Sequence, residues 1–202
     1  WDNHPALTAD GDSIIIPRGA LIRYREWYGA ARPGHGLRLT AEEVAAGILE
    51  REQGDKVEYG VLDPSAFSED GGPSIAERMY KLGLALRPAD NKRIGKLGAL
   101  GGWDQMRSRI KGDGDAPMIY CFETCRDSIR TIPSLPHDPD RPEDLDTKAE
   151  DHAADDWRYA CMSRPLAADA PQPVKEDFAG IEPTFEEMRR RNAARLARRR
   201  AI

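Results

Sequence analysis

The chain has 202 residues, of which 40% are hydrophobic and 32% charged, and its net charge is −5. That suits one ordinary domain, or one domain and a tail, with a heavily charged surface. No run approaches the roughly 18 apolar residues of a membrane span, and no charged, apolar and small-residue series marks a signal peptide.

Residues 14–16 and 20–27 are expected as two strands around a turn at 17–19, because LIRYREW alternates apolar and polar residues. Thr40 and Glu43 form a capping box that opens a helix striped by Val44, Ile48 and Leu49 and ending near Gly54. Residues 57–62 read as a buried strand that Asp63-Pro64-Ser65 ends, since Pro64 has no N–H for a ladder. A helix over 74–84 and a short strand over 85–87 follow. Residues 91–110 read as one amphipathic helix carrying Ile94, Leu97, Leu100, Trp103, Met106 and Ile110 at three- and four-residue spacing. Glycines at 95, 98, 101 and 102 each cost about 1 kcal/mol in a helix, so a break or a close backbone approach is expected near 101–102. Next come a buried strand over 118–122, a short helix over 124–132, and a proline- and acid-rich loop over 133–146. A helix over 148–163 is capped by Asp146 or Thr147.

Residues 1–165 are expected as one domain. The stretch 166–183 is a linker rich in Ala, Pro and Asp, and 184–202 is a basic C-terminal helix or tail opened by a second capping box, Thr184 and Glu187. The alternation of strands and helices predicts the α/β class, a mixed central sheet flanked by helices, with a meander at its start. Seven arginines and two glutamates give the tail a balance of +5, against 23 basic and 33 acidic residues elsewhere, a balance of −10. An acidic body with a basic tail excludes a simple nucleic-acid coat and suits carboxylates gathered around metal ions. Three cysteines are an odd number, so a disulfide framework is not expected and a reducing compartment is. The chain begins with Trp1 rather than Met, which reads as a piece of something longer.

Two constellations carry candidate chemistry. Asp63 ends an apolar strand, which places a carboxylate at the sheet edge where ligand sites collect; an Asp-Pro turn cap is the alternative. Asp151, His152 and Asp155 stand three and four residues apart and share a helix face in its first turn, where the helix dipole favours negative charge. The alternative is a solvated acidic helix start. Together these residues suggest hard oxygen ligands for Mg²⁺ or Mn²⁺. There is no CxxC pair, no HExxH and no phosphate-binding loop, and Cys121 and Cys125 read as core thiols.

The stretches PRGALIRYREWYGA (17–30), VEYGVLDPSAF (57–67), RIGKLGALGGWDQMR (93–107) and DLDTKAEDHAADDWRYACMSRP (144–165) resemble the C-terminal nuclease domain of a bacteriophage terminase large subunit. The resemblance implies an RNase H-like fold. It also implies a Mg²⁺- or Mn²⁺-dependent endonuclease that cuts concatemeric viral DNA during packaging, by two-metal phosphodiester hydrolysis in the host cytoplasm. By the same resemblance Asp63 and Asp155 are metal ligands and catalytic acids, and Asp63 is the bridging ligand. His152 is a catalytic histidine beside the metals, expected to orient the water, shuttle a proton or join the second metal's sphere, and Asp151 is a further metal-binding carboxylate without a firm family role. The family's first-strand acid is expected upstream of Trp1, with Asp2 as the alternative. Implied partners are double-stranded DNA, an ATPase domain of the same polypeptide, the portal and the small terminase subunit, and no membrane. Lys92, Arg93, Lys96, Arg107, Arg109 and Lys111 are candidate phosphate contacts. The rival readings are a non-catalytic DNA- or portal-binding module and another RNase H-like nuclease such as a junction resolvase.

Overall fold

The computed structural model describes residues 3–32, 35–52, 54–95, 100–112, 116–146 and 148–166. The chain divides after Leu166, and the unit Trp1–Leu166 is the one described here. Trp1, Asp2, Lys96, Leu97, Gly98 and Thr147, nearly all of the expected linker 166–183 and the basic tail 184–202 lie outside the described residues.

Strand β1 (His4–Leu7) pairs antiparallel with β2 (Ser13–Ile16), and β3 (Leu21–Arg23) pairs parallel with β8 (Ile119–Cys121). The turn at 17–19 is present, with Ala20 N donating to Pro17 O at 3.1 Å and Gly19 at φ +85°. It does not make the expected meander, because it carries the chain out of one pair and into another. The strand over 20–27 is also shorter than its alternation suggests, because the residues after Arg23 leave the ladder for side-chain work. Glu26 caps a helix: its carboxylate accepts from the backbone N–H groups of Asp127 (2.8 Å) and Ser128 (3.1 Å) and from Ser128 Oγ (2.6 Å). That helix is α4 (Arg126–Thr131). Trp27 packs against Gly47, where a Cβ would fall 2.3 Å from the indole ring, and Arg51 stands over that ring at 4.1 Å. Between β3 and this helix-rich region come β4 (Ala30–Arg32) and β5 (His35–Gly36), an antiparallel pair.

Helix α1 (Ala41–Glu52) starts at the expected capping box: Thr40 N donates to the Glu43 carboxylate at 2.7 Å, and Glu43 N to Thr40 Oγ1 at 3.2 Å. Strand β6 (Gly60–Leu62) is the last half of the expected strand and pairs parallel with β7 (Leu86–Pro88). Helix α2 (Ile75–Tyr80) lies between them and carries its own box, Ser74 with Glu77. Ala41, Ala45, Met79 and Leu84 form the buried centre of this half, with Leu62 and Leu86 packed against it from the strands.

The expected helix over 91–110 is corrected to α3 (Gly102–Lys111). Residues 91–95 instead turn back over its first turn. Lys92 O accepts from Gly102 N at 2.9 Å, and Arg93 O accepts from Trp103 N at 3.1 Å, so these carbonyls satisfy orphan N–H groups rather than continue the helix. The close approach expected at the glycines is present. A Cβ on Gly101 would lie 2.3 Å from Gly95 N, and one on Gly102 would lie 2.4 Å from Arg158 Cγ. Helix α5 (His152–Ser163) starts four residues later than expected, with Asp151 at its N-cap. It packs chiefly on α3, and Trp103, Met106, Ala154, Trp157 and Cys161 form the core between them.

The described residues therefore form a mixed α/β unit, but their strands make four two-stranded sheets and no continuous one. A cavity of about 960 Å³ runs between β3 and β6, lined by Leu21, Ile22, Tyr59, Val61 and Arg164 among others. Among the described residues no helix is long and apolar enough to cross a membrane.

Candidate acidic site

Asp63 follows directly on β6, and both of its oxygens have partners. Oδ1 accepts from Ser65 N at 2.8 Å, which caps a single 3₁₀ turn over Pro64–Phe67, so the turn-cap reading of Asp-Pro is realised. Oδ2 accepts from the Tyr159 hydroxyl. Hydrogen bonds from Ser65 and then from Tyr159, helped by the charge of Arg158, hold the Asp63 carboxyl below the usual range despite its partial burial. Tyr159 is pushed up to about 12 by burial, by its bond to Asp63 and by the charges of Asp63 and Asp155.

The residue before that tyrosine serves the second acid. Arg158 donates to Asp155 Oδ1 from Nε and lies 2.9 Å from it through Nη2. Arg158 is 2% exposed, buried against Gly102 and between the rings of Trp103 and Tyr159. Tyr159 and Arg158, neighbours on α5, thus bond two acids from distant parts of the sequence.

Asp151 is 7% exposed and Asp144 only 2%. One guanidinium, Arg93, serves both acids and Asp155 as well. Its Nε donates to Asp144 Oδ1 at 2.8 Å, and its Nη1 stands 3.8 Å from Asp151 Oδ2 and 3.7 Å from Asp155 Oδ2. Asp144 Oδ1 also accepts from the Trp103 indole at 2.8 Å and from Leu145 N at 2.9 Å. Burial would raise the Asp144 carboxyl, but Arg93, Trp103 and Leu145 together hold it below its ordinary value. Asp151 goes the other way. Burial raises it first and the Asp155 charge second, and Arg93 offsets them only in part.

Of the residues singled out by sequence, Asp151 and Asp155 are brought together around Arg93, and Asp63 joins them through Tyr159 and Arg158. His152 is not drawn in: its side chain is 82% exposed, with Nδ1 3.9 Å from Asp151 Oδ1. Asp144 was expected in a solvated loop and is instead the most buried acid of the group. The one signal for it was the apolar Leu145 beside it in an otherwise polar stretch. Of the candidate phosphate contacts, Arg109 is corrected to a structural role. It is buried and donates to the carbonyls of Gly19 (3.1 Å), Met118 (3.2 Å) and Arg164. Arg93 is engaged as described, Arg107 bonds Asp104 and the Glu143 carbonyl, and Lys92 stays exposed beside Asp90.

Asp63, Asp151 and Asp155 offer hard carboxylate oxygens, the chemistry that Mg²⁺ and Mn²⁺ take. The charge of Asp155 acts on Asp151, and the Arg93 guanidinium stands between the two. Among the described residues, however, no three His, Cys, Asp or Glu side chains stand grouped closely enough to hold a metal ion. No family model, curated protein or solved structure matches the chain.

Proposed function

We propose that the chain is a Mg²⁺- or Mn²⁺-dependent endonuclease acting on double-stranded DNA, built on an RNase H-like variant of its α/β fold. The observation that carries this reading is the convergence of Asp63 and Asp155. One stands at the carboxyl end of a parallel strand and the other on the first turn of α5, and adjacent side chains of that helix, Tyr159 and Arg158, bond one acid each. A strand end is where ligand sites form in α/β sheets, and a helix start favours negative charge.

Asp63 and Asp155 would be the carboxylates that hold the metal, and Asp151 does not complete a three-ligand group with them in this arrangement. When bound, the cation would supply Lewis acidity toward the phosphodiester and a more acidic water. The chain's own residues do the rest. Tyr159 fixes the rotamer of Asp63, and Arg158 fixes that of Asp155. Trp103 and Asp144 close the floor of the site against water. Cutting concatemeric viral DNA in the host cytoplasm, beside an ATPase domain, a portal and a small terminase subunit, is the setting this reading entails. Asp155→Asn is expected to abolish Mn²⁺-dependent nicking of supercoiled plasmid while the circular dichroism spectrum stays native. Full nicking by that variant would overturn the assignment.

A second reading has its own support. Every carboxylate of the cluster already has a protein partner, as a purely structural ion-pair network would require, and a non-catalytic DNA- or portal-binding module needs no more. A wild-type chain that binds plasmid yet never nicks it in Mn²⁺ would favour that module.

A further inference from the structure

Positive charge is not matched evenly in this unit. Arg23, Arg25, Arg78, Arg93, Arg130 and Arg158 each stand 2.5–3.1 Å from a carboxylate. Arg18, Arg87, Arg109 and Arg164 form no such pair among the described residues, and they gather at one place. Arg18, Arg109 and Arg164 line the cavity between β3 and β6, and Arg87 stacks at 3.6 Å on Tyr59, which lines it too. Arg164 donates from Nε to the hydroxyl of the same tyrosine at 2.8 Å. Arg18, Arg87 and Arg164 are exposed.

Arg109 is a separate sign. It is 2% exposed, and its bonds all go to carbonyls. Those dipoles solvate its charge without cancelling it. Its Nε is buried and has no acceptor among the described residues. Burial pushes the guanidinium down and no acid offsets that, yet an arginine stays charged. One acid lines the cavity, Glu58. Its charge reaches Arg164, but Lys56 stands 3.5 Å from it. Asp55 bonds the lining residue Tyr24 at 2.8 Å and is matched by Arg25 at 3.1 Å. The excess around the cavity is therefore positive, in a body that is otherwise acidic. A cleft of one sign with low-dielectric walls focuses its field on an incoming anion.

The cavity also sets the ligand's size. At about 960 Å³ it is far too large for a lone phosphate, and Leu21, Ile22 and Val61 give it apolar walls. Guanidinium forks match phosphate oxygens in geometry and charge. We propose that this cavity binds a nucleotide unit, with its phosphate at Arg18, Arg87 and Arg164 and its sugar and base against Leu21, Ile22 and Val61. Arg109 supplies a fixed buried charge beneath them. The unit is a free nucleotide or one link of a single strand. The site shares no residue with the acidic cluster and needs no metal, so it stands apart from the nuclease reading.

The test is made in EDTA on the whole chain and on Arg18→Gln, Arg87→Gln and Arg164→Gln. Anisotropy of a labelled oligo-thymidylate reads strand binding, and the melting temperature with thymidine monophosphate reads free nucleotide. Arg126→Gln removes an exposed charge from α4 and is the control. The basic tail is the same in every protein, so it drops out of the comparison. Each cavity variant should bind the strand about fivefold more weakly at 0.1 M salt, since a phosphate contact on a single strand is worth about 0.7 in the salt slope. The control should match wild type. Thymidine monophosphate that stabilises wild type but not the cavity variants identifies a free nucleotide. Weakened strand binding without that effect identifies a link in a strand. Arg18→Gln, which breaks no side-chain bond of the fold, decides the matter if the other two fail to fold. Strand affinity and nucleotide response equal to wild type in the cavity variants overturn the site. An equal loss in Arg126→Gln overturns it too, because net charge would then explain the binding. Competition by polyglutamate as strong as by oligo-thymidylate would replace the nucleotide with an acidic peptide.

Discussion

Asp144 shows what a single buried carboxylate does here. It accepts from three donors on three segments: the Arg93 guanidinium, the Trp103 indole and the backbone N–H of Leu145. Removing it leaves the partly buried Arg93 Nε and a buried indole N–H without their acceptor. Asp144→Ala should therefore lose about 2–3 kcal/mol in urea unfolding, the range for leaving buried donors unsatisfied. A loss under about 1 kcal/mol would mean that water replaces the carboxylate and that the site floor is not dry. Asp63, Asp151 and Asp155 could be picked from residue type and spacing alone. Asp144 and the engagement of Arg93 could not, because nothing local distinguishes a loop acid in solvent from one that meets an arginine 51 positions away. His152 shows the converse. Its spacing from Asp155 is right for a shared face, but the helix starts only at His152, and its first side chain points to solvent.

At the scale of elements, local signals held where they were chemical. The expected box of Thr40 with Glu43 forms, and the structure adds a second, Ser74 with Glu77, that the sequence reading did not name. Ser74→Ala should cost about 1 kcal/mol, measured by urea denaturation. Periodicity alone was less faithful. Residues 91–95 share the apolar period of α3, yet their carbonyls cap that helix rather than extend it, because Gly101 allows backbone to lie against backbone. Gly101→Ala tests this. Its φ of −78° suits any residue, but Gly101 is the N-cap of α3, where glycine is already favoured over alanine by a few tenths of a kcal/mol or more. The steric account predicts a larger loss, about 1–3 kcal/mol, because a Cβ would sit 2.3 Å from Gly95 N. A stabilised variant would show that segment 91–95 does not cap α3.

At the scale of the molecule, strand partners are the part that sequence could not supply. Every strand except β1 and the β4–β5 pair overlaps an expected apolar run. Pairing depends on long-range contacts, however, and β3 takes β8, almost a hundred residues away, rather than its neighbour β2. Whole-molecule stability also carries a pH signature from ion pairs that tie elements together. Glu42 on α1 meets Arg78 on α2 at 2.5 Å, and hydrogen bonding from Arg78 lowers the Glu42 carboxyl from 4.5 to about 2. A carboxylate lowered on folding adds stability above its unfolded value and loses it as pH falls through the folded one. Glu42→Gln should therefore melt below wild type near neutral pH, and the gap should close between about pH 5 and pH 2. A gap that stays constant across that window would place its origin outside this ion pair.

The central claim is that Asp63, from the end of a strand, and Asp155, from the start of a helix, belong to one metal site. Mn²⁺ titration of wild type, Asp63→Asn, Asp155→Asn and the double variant tests it directly. Each single substitution should weaken binding by about tenfold or more, and the double variant should be little worse than either single one, since a shared site is lost once. Wild-type affinity in Asp63→Asn, or strictly additive losses in the double variant, would contradict the claim.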